Sequence, residues 1–306
     1  MPGRILKYEE LSSPEFKALN KKKTFVFIPV SPLEGHGPHL PVGVDYFDAI
    51  YFAESLAENI KEKYPEFDSI IYPALPVGTQ VYHQEGSVRI SPTTLYNLVK
   101  SIGESLASNG FEYFFILSGH GSPKDIVALE SACIQVSKKT KIQMHNLSGA
   151  LAVRFLKGEF NERISELMDQ PLTDTEKEQL SKDIHGGWWE TSMMLLLKPE
   201  LVKDNYKSLP DYQRKADEKT DRPGYYGSPS KANVEFAEIS LKVLLEEVLQ
   251  TVLACLNGKN ISDKTTSSLY KIKLLRPNFK RKLFLYALFV IKSLVLIWLI
   301  YKYLIL

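Results

Sequence analysis

Residues 24–30, Thr-Phe-Val-Phe-Ile-Pro-Val, are an unbroken apolar run closed off by three lysines before it and by Ser31 and Pro32 after it. A run so short and so rich in aromatic and branched side chains predicts a strand buried on both faces, the kind found in parallel sheets covered by helices. It feeds directly into a loop, residues 32–45, that holds Glu34, His36, His39 and Asp45 among glycines and prolines. Apolar residues then recur at helical spacing over residues 44–63, at Phe47, Ile50, Tyr51, Ala53, Leu56 and Ile60. The order is strand, chemically loaded loop, helix.

That order repeats. Residues 69–72, 111–117 and 141–147 read as further strands, and Ser91-Pro92 and Ser122-Pro123 open amphipathic helices between them. Strands alternating with helices predict an α/β fold, a three-layer αβα sandwich with a mostly parallel central sheet. In such sheets ligands collect beyond the carboxyl ends of the strands, which is where Glu34, His36 and His120 all fall. His83 and Glu85, in the long polar loop 76–86, are candidates for the rim of the same site. Ser12 and Pro14 predict the start of a short surface helix. The second half reads as helices over residues 153–168, 175–181, 193–197 and 232–256, with a turn-rich stretch at 221–229.

Glu34 and His36 are two residues apart and project to the same side of an extended backbone. They offer a carboxylate oxygen and an imidazole nitrogen to one cation or to two adjacent ones. Asp45 either bridges neighbouring metals or caps the following helix. Carboxylates mixed with imidazole suit zinc, manganese or iron better than calcium. Of six histidines, four (His36, His39, His120, His185) stand beside glycine or proline in loops rather than inside apolar runs, which favours a site over core packing. Cys133 and Cys255 are too few for a disulfide framework or a cysteine metal site and read as buried free thiols. Residues 1–23 contain no apolar segment of the secretory type. Nine of the 38 basic residues follow Asp263, which leaves 29 against 36 acidic ones in the body, a net charge of about −7. An acidic body argues against nucleic acid as a partner.

The motif Glu34-Gly35-His36-Gly37-Pro38-His39-Leu40-Pro41 with Asp45, the loop Ser118-Gly119-His120-Gly121, the box His185-Gly186-Gly187-Trp188-Trp189-Glu190-Thr191-Ser192 and the turn Gly224-Tyr225-Tyr226-Gly227-Ser228-Pro229 occur in this order. Together, over residues 8–257, they resemble the creatininase family of amidohydrolases. The resemblance implies a parallel sheet between helices and a centre of two divalent metal ions, Zn2+, Mn2+ or Fe2+, that hydrolyses non-peptide carbon–nitrogen bonds. Carried over by position, Glu34, His36, Asp45 and His120 are metal ligands, with Asp45 bridging. Glu190 is a further ligand within the catalytic set, and His185 is the proton carrier. Two cations sharing a water lower its pKa and hold it as hydroxide, and a histidine near neutrality can pass the proton to an amide nitrogen. The partner is then a small-molecule amide, and family members form homo-oligomers, often hexamers. Ser122 stands where creatininase has a ligating Glu, which counts against creatinine as substrate; Ser122 before Pro123 reads as a helix cap. Trp188 and Trp189 either floor a substrate pocket or pack in the core or against another subunit, and His39 is expected to support ligands rather than bind metal.

After a basic linker at 258–282, residues 283–306 hold 24 residues with only Lys292 and Lys302 charged. As a helix they span about 36 Å, enough for a hydrocarbon core of roughly 30 Å. This predicts a single-pass C-terminal membrane anchor after a catalytic domain at 1–257. Lys280-Arg281-Lys282 predicts that this domain stays cytoplasmic. Two rival readings stay open: a peptidase trimming a small modified peptide, and a catalytically silent scaffold held at the membrane.

Overall fold

The computed structural model describes residues 3–213 and 223–304. Five strands, β1 (Ile5–Lys7), β2 (Thr24–Pro29), β3 (Asp68–Ile71), β4 (Tyr113–Leu117) and β5 (Gln143–Asn146), form one parallel sheet in the order β1-β3-β2-β4-β5. The apolar run at 24–30 forms the middle strand β2, every residue of which is buried. Phe25 lies between Ser69 of β3 and Tyr113 of β4.

The helices are α1 (Ser13–Ala18), α2 (Val44–Lys63), α3 (Pro92–Ser108), α4 (Pro123–Thr140), α5 (Leu147–Leu156), α6 (Asn161–Leu167), α7 (Asp174–Leu180), α8 (Trp188–Leu197), α9 (Val234–Leu256), α10 (Ser262–Thr265) and α11 (Phe279–Leu304). Side chains alternate across a strand, so the two faces of β2 and β4 feed two cores. Phe25, Phe27, Phe115 and Leu117 pack with α2, α5, α8 and α9. Val26, Ile28, Phe114 and Ile116 pack with α3 and α4 on the opposite side. The result is the three-layer α/β sandwich that the alternation of elements predicts.

The topology places a crevice. From β2 the chain crosses through α2 on one face to β3, and from β4 it crosses through α4 on the other face to β5. Neighbouring strands whose connections leave toward opposite sides open a gap at their carboxyl ends. The loops after β2 and β4 meet there, held by Val30 N donating to Leu117 O at 2.8 Å and Gly119 N donating to Ser31 Oγ at 2.9 Å.

Several local expectations change. The sequence pattern shows no strand at β1, three residues long and recognisable only by its pairing with β3. The single helix expected at 153–168 is two, α5 and α6, broken by Gly158 at φ 74°. The helix expected at 193–197 begins at Trp188, so the histidine box itself forms its first turn. Ser12 does cap α1, in a reciprocal capping box with Glu15. Cys133 and Cys255 are buried and free. The segment after α9 is docked on the body: Glu130 accepts from Ser267 N at 2.7 Å, and Ile261 is buried. In α11, Leu283–Ile300 has a mean hydropathy of 2.5 and none of it is buried. Asp221 and Arg222, which open the expected turn-rich stretch, and Ile305 and Leu306, which close the apolar tail, lie outside the described residues.

Candidate metal centre

Six predicted site residues converge in the crevice. Glu34 and His36 come from the loop after β2, Asp45 from the first turn of α2, His120 from the loop after β4, and His185 and Glu190 from the entry to α8. Their donor atoms form overlapping trios: Glu34 with Asp45 and His120, His36 with Asp45 and Glu190, and Glu34 with His36 and His185, each within 4.8 Å. The two oxygens of Asp45 divide between the first two trios. Oδ2 lies 3.1 Å from His120 Nδ1, and Oδ1 lies 3.3 Å from His36 Nε2. Glu34 Oε2 is 3.2 Å from His120 Nδ1, and Glu190 Oε2 is 3.5 Å from His36 Nε2.

The donor set fits a pair of divalent cations. Glu34 Oε2, His36 Nε2 and both oxygens of Asp45 are buried and lack a hydrogen-bond partner, a costly arrangement for polar atoms. Their spacings exceed the roughly 2.7–2.9 Å of a charge-assisted hydrogen bond. A four-coordinate cation with bonds near 2.0–2.1 Å sets its ligand atoms roughly 3.3 Å apart, as here.

The surroundings fix each donor's orientation. His36 Nδ1 donates to the Glu34 carbonyl at 2.9 Å, and His120 Nε2 donates to the Gln80 carbonyl at 3.1 Å. The nitrogen of each imidazole that faces the carboxylates is thus the one free to exchange a proton for a cation. Glu34 Oε1 accepts from the Tyr82 amide and Glu190 Oε2 from the Gly186 amide. His185 Nε2 donates to the Gly35 carbonyl at 2.8 Å, leaving Nδ1 as its acceptor. The turn at 224–229 pins the same residue: His185 N donates to Tyr226 O at 3.1 Å, and Tyr226 N donates back to His185 O. Gly119 and Gly186 permit the close approach. A Cβ at Gly119 would lie 2.5 Å from the Asp45 carbonyl oxygen, and one at Gly186, where φ is 56°, 3.0 Å from the His36 carbonyl oxygen.

Charge is concentrated and desolvated. Burial pushes Glu34 up to about 8 and Glu190 up to about 7, despite the neighbouring histidines. Burial pulls His36 down, but Asp45 and Glu190 outweigh it and the net shift is up to about 10. His120 is raised for the same reason, through Asp45 and Asp125. Asp45 is lowered, because His36 and His120 overcome its burial. His185 moves the other way, held well below its ordinary value by burial and by His36, whose ring centroid is 4.1 Å away.

Other predicted residues separate. His39 is buried, bonds Thr191 Oγ1 through Nε2 at 2.9 Å and belongs to none of the trios. Trp188 is core, packed on Phe236 at 5.1 Å, while Trp189 lines the cavity above the trios. His83 is on the cavity rim; Glu85 is exposed and not part of its lining. Ser122 occupies the N-cap position of α4, but its hydroxyl bonds Asp125 Oδ2 at 2.5 Å instead of a backbone amide. Asp45 leaves the cap position to Gly43.

Sequence reasoning missed three acids. Asp48 is buried with both oxygens unpartnered among the described residues, and lines the cavity beside His120 and Glu190. Burial, Glu190 and Asp45 hold its carboxyl well above the ordinary range. Its spacing of three from Asp45 puts both on one helix face. The buried face of α2 is Val44, Asp45, Asp48, Ala49, Ala53, Leu56, Ala57 and Ile60, rotated away from Phe47, Ile50 and Tyr51. Asp125 accepts from the amides of Thr79 and Gln80 at 2.8 and 3.0 Å, anchoring the loop whose carbonyl orients His120. Asp183 accepts from the amides of Trp188 and Trp189 at 2.7 and 2.9 Å, capping α8 in place of the side-chain-free Gly187. An acid near a helix start is visible in sequence, but its partner is not.

Comparison with known proteins gives consistent matches. The family profile described as creatinine amidohydrolase (creatininase) matches residues 9–252. A creatinine amidohydrolase of Pseudomonas putida is 24% identical over 251 residues, 74% of this chain and 88% of that protein. A mycofactocin precursor peptide peptidase of Mycolicibacterium smegmatis is 27% identical over 127 residues; the match covers 41% of this chain and about half, 51%, of the peptidase. Among solved structures, a creatininase aligns with a TM-score of 0.63 at 19% identity, covering 86% of this chain and 99% of that one. A manganese form of creatininase aligns at 0.64 and 20%, covering 81% and 97%.

Proposed function

The chain belongs to the creatininase family, and on that premise we propose that it is a metal-dependent amidohydrolase cleaving a non-peptide carbon–nitrogen bond in an amide, cyclic amide or formamide. The observation that carries the reading is the pair of carboxylate–imidazole trios joined by the two oxygens of Asp45. Glu34, Asp45 and His120 would hold one divalent cation, and His36, Asp45 and Glu190 the other; zinc, manganese or iron suits these donors. When bound, such a pair supplies a Lewis acid for the scissile carbonyl and acidifies water. The carbonyls of Glu34 and Gln80 engage Nδ1 of His36 and Nε2 of His120, so the opposite ring nitrogen of each would give up its proton to a cation. His185, held below its ordinary value and neutral at pH 7, takes up at Nδ1 the proton that the attacking water gives up and delivers it to the leaving nitrogen, which departs poorly unless protonated. Glu190 belongs to the catalytic set as well, its Oε2 standing between the Gly186 amide and His36.

The tether is part of the same proposal. The exposure of Leu283–Ile300 and its mean hydropathy of 2.5 support a C-terminal membrane anchor after a catalytic domain at 1–257. The basic cluster at 280–282 in the sequence supports a cytoplasmic body. The homo-oligomer, a hexamer by family resemblance, rests on that resemblance alone. A second reading, hydrolysis of a small modified peptide, is favoured by the similarity to the mycofactocin precursor peptide peptidase.

The test is metal content together with a screen of formamides, cyclic amides and short peptides. About two metal equivalents per chain and turnover of the first two classes are expected. His185→Ala should lower kcat by about 10²–10⁴-fold with metal content retained. Loss of metal in that variant would make His185 a ligand. A metal-free, inactive full chain would leave the silent scaffold.

A further inference from the structure

Above the trios opens a cavity of about 570 Å³, a volume typical of sites for small organic ligands. One end is the polar cradle, with Asp48, His120, His185 and Glu190 in its lining. The wall leading away from them is made by Phe52, Leu151, Phe155, Leu156, Trp189 and Met193, from α2, α5 and α8.

Several polar groups along this wall are already engaged. Ser122 Oγ donates to Asp125 at 2.5 Å, Ser148 Oγ accepts from the Ser118 amide at 2.8 Å, and Asp183 accepts from the amides of Trp188 and Trp189. The Gln80 backbone carbonyl accepts from His120 and its backbone N–H donates to Asp125. A polar substituent entering between the cradle and the mouth would give up water and find few free partners, whereas an apolar one would gain by leaving water. Lys157 and Ile184 stand exposed at the mouth, where a polar end can stay hydrated.

We propose that the substrate is an amide bearing an apolar chain, seated with its carbonyl at the cradle and its chain along the wall formed by α5 and Trp189. This rests on the hydrolase reading and narrows it: small polar amides fill only the cradle end. The reaction is ordinary hydrolysis. The C–N bond breaks, water supplies OH to the acyl carbon and H to the nitrogen, and no oxidant or reductant takes part.

Two water-soluble series locate the chain on the acyl or the amine side. One is the N-methyl amides of acetic, butanoic and hexanoic acid; the other is acetamides of methyl-, butyl- and hexylamine. They are assayed on the full chain in lipid nanodiscs, wild type and Ala152→Trp, because Ala152 lines the wall and an indole there would occupy it. In one series kcat/KM should rise about fourfold per methylene, and the ratio between its longest and shortest members should collapse in Ala152→Trp. Turnover without chain-length dependence, or dependence that Ala152→Trp leaves intact, overturns the inference while the hydrolase reading stands. If neither series is turned over while formamides or cyclic amides are, the inference is overturned; if none of these is turned over, the hydrolase reading fails, and binding of hexanamide followed by tryptophan fluorescence decides the cavity's preference. Saturable quenching lost in Ala152→Trp supports an apolar site, and unsaturable or unchanged quenching overturns it.

Discussion

The cradle and the last helix break the ordinary rule of burial in opposite directions. In the cradle, Glu34, His36, Asp45 and Asp48 are buried and polar, with orphaned donor and acceptor atoms. In α11, leucines, isoleucines and Trp298 are apolar and exposed. Single exposed apolar residues mean little, but a whole helix of them supports the proposed anchor. Clustered buried carboxylates and imidazoles support the proposed pair of cations. Each region thus points to its partner by the kind of solvation it lacks. They differ in how far the fold specifies them: backbone carbonyls and amides hold the cradle's rings and carboxylates, while α11 owes its character to composition alone.

The largest expected effect breaks the cradle. Asp45→Ala removes the side chain common to the two trios proposed to hold the cations, so metal content should fall from about two equivalents to below one, with turnover reduced by at least about 10³-fold. Elemental analysis checks it; a variant that still holds two metals would show that the trios do not share Asp45.

Next is the other side of the comparison. Ile291→Asp with Val295→Asp places two carboxylates mid-helix, each costing on the order of 3 kcal/mol on insertion scales. The full chain should move from the membrane pellet to the supernatant after carbonate extraction with its metal content unchanged. A chain that stays in the pellet would remove the anchor reading.

The smallest effect sharpens the electrostatics. Asp48 has a folded-state pKa above its unfolded value, through burial and its acidic neighbours, so it weakens the metal-free protein increasingly as pH rises above the unfolded carboxylate range. Asp48→Asn should therefore raise Tm of the chelator-treated protein by about 2–4 °C near pH 7 and by less near pH 4. Removing a carboxyl beside the proposed ligands should also weaken metal binding by roughly tenfold or more. Equal Tm shifts at both pH values would mean that Asp48 is not held in a raised state.

Much of this was legible before any coordinates. β2 declares itself because a strand buried on both faces needs continuous apolar residues, and the loaded loops declare themselves because metal-binding side chains rarely crowd beside glycine by chance. Helix phase was less legible. Val44–Lys63 matches in extent, yet its buried face carries Asp45 and Asp48 rather than Phe47 and Tyr51, since periodicity gives spacing and not rotation. β1 was invisible because three edge residues have no period to detect.

Composition and spacing by themselves determined the alternation of strands and helices, the identity of the acids and imidazoles, and the existence of an apolar tail, because these depend on residues close in sequence. Only the tertiary structure decided that Gly35 would hold His185 from 150 positions away, that Asp48 would enter the site, and that Trp189 would line the cavity while Trp188 became core. Those outcomes depend on where β2 and β4 end and on which face each helix covers. They are set by the packing of the whole chain, which no short stretch encodes.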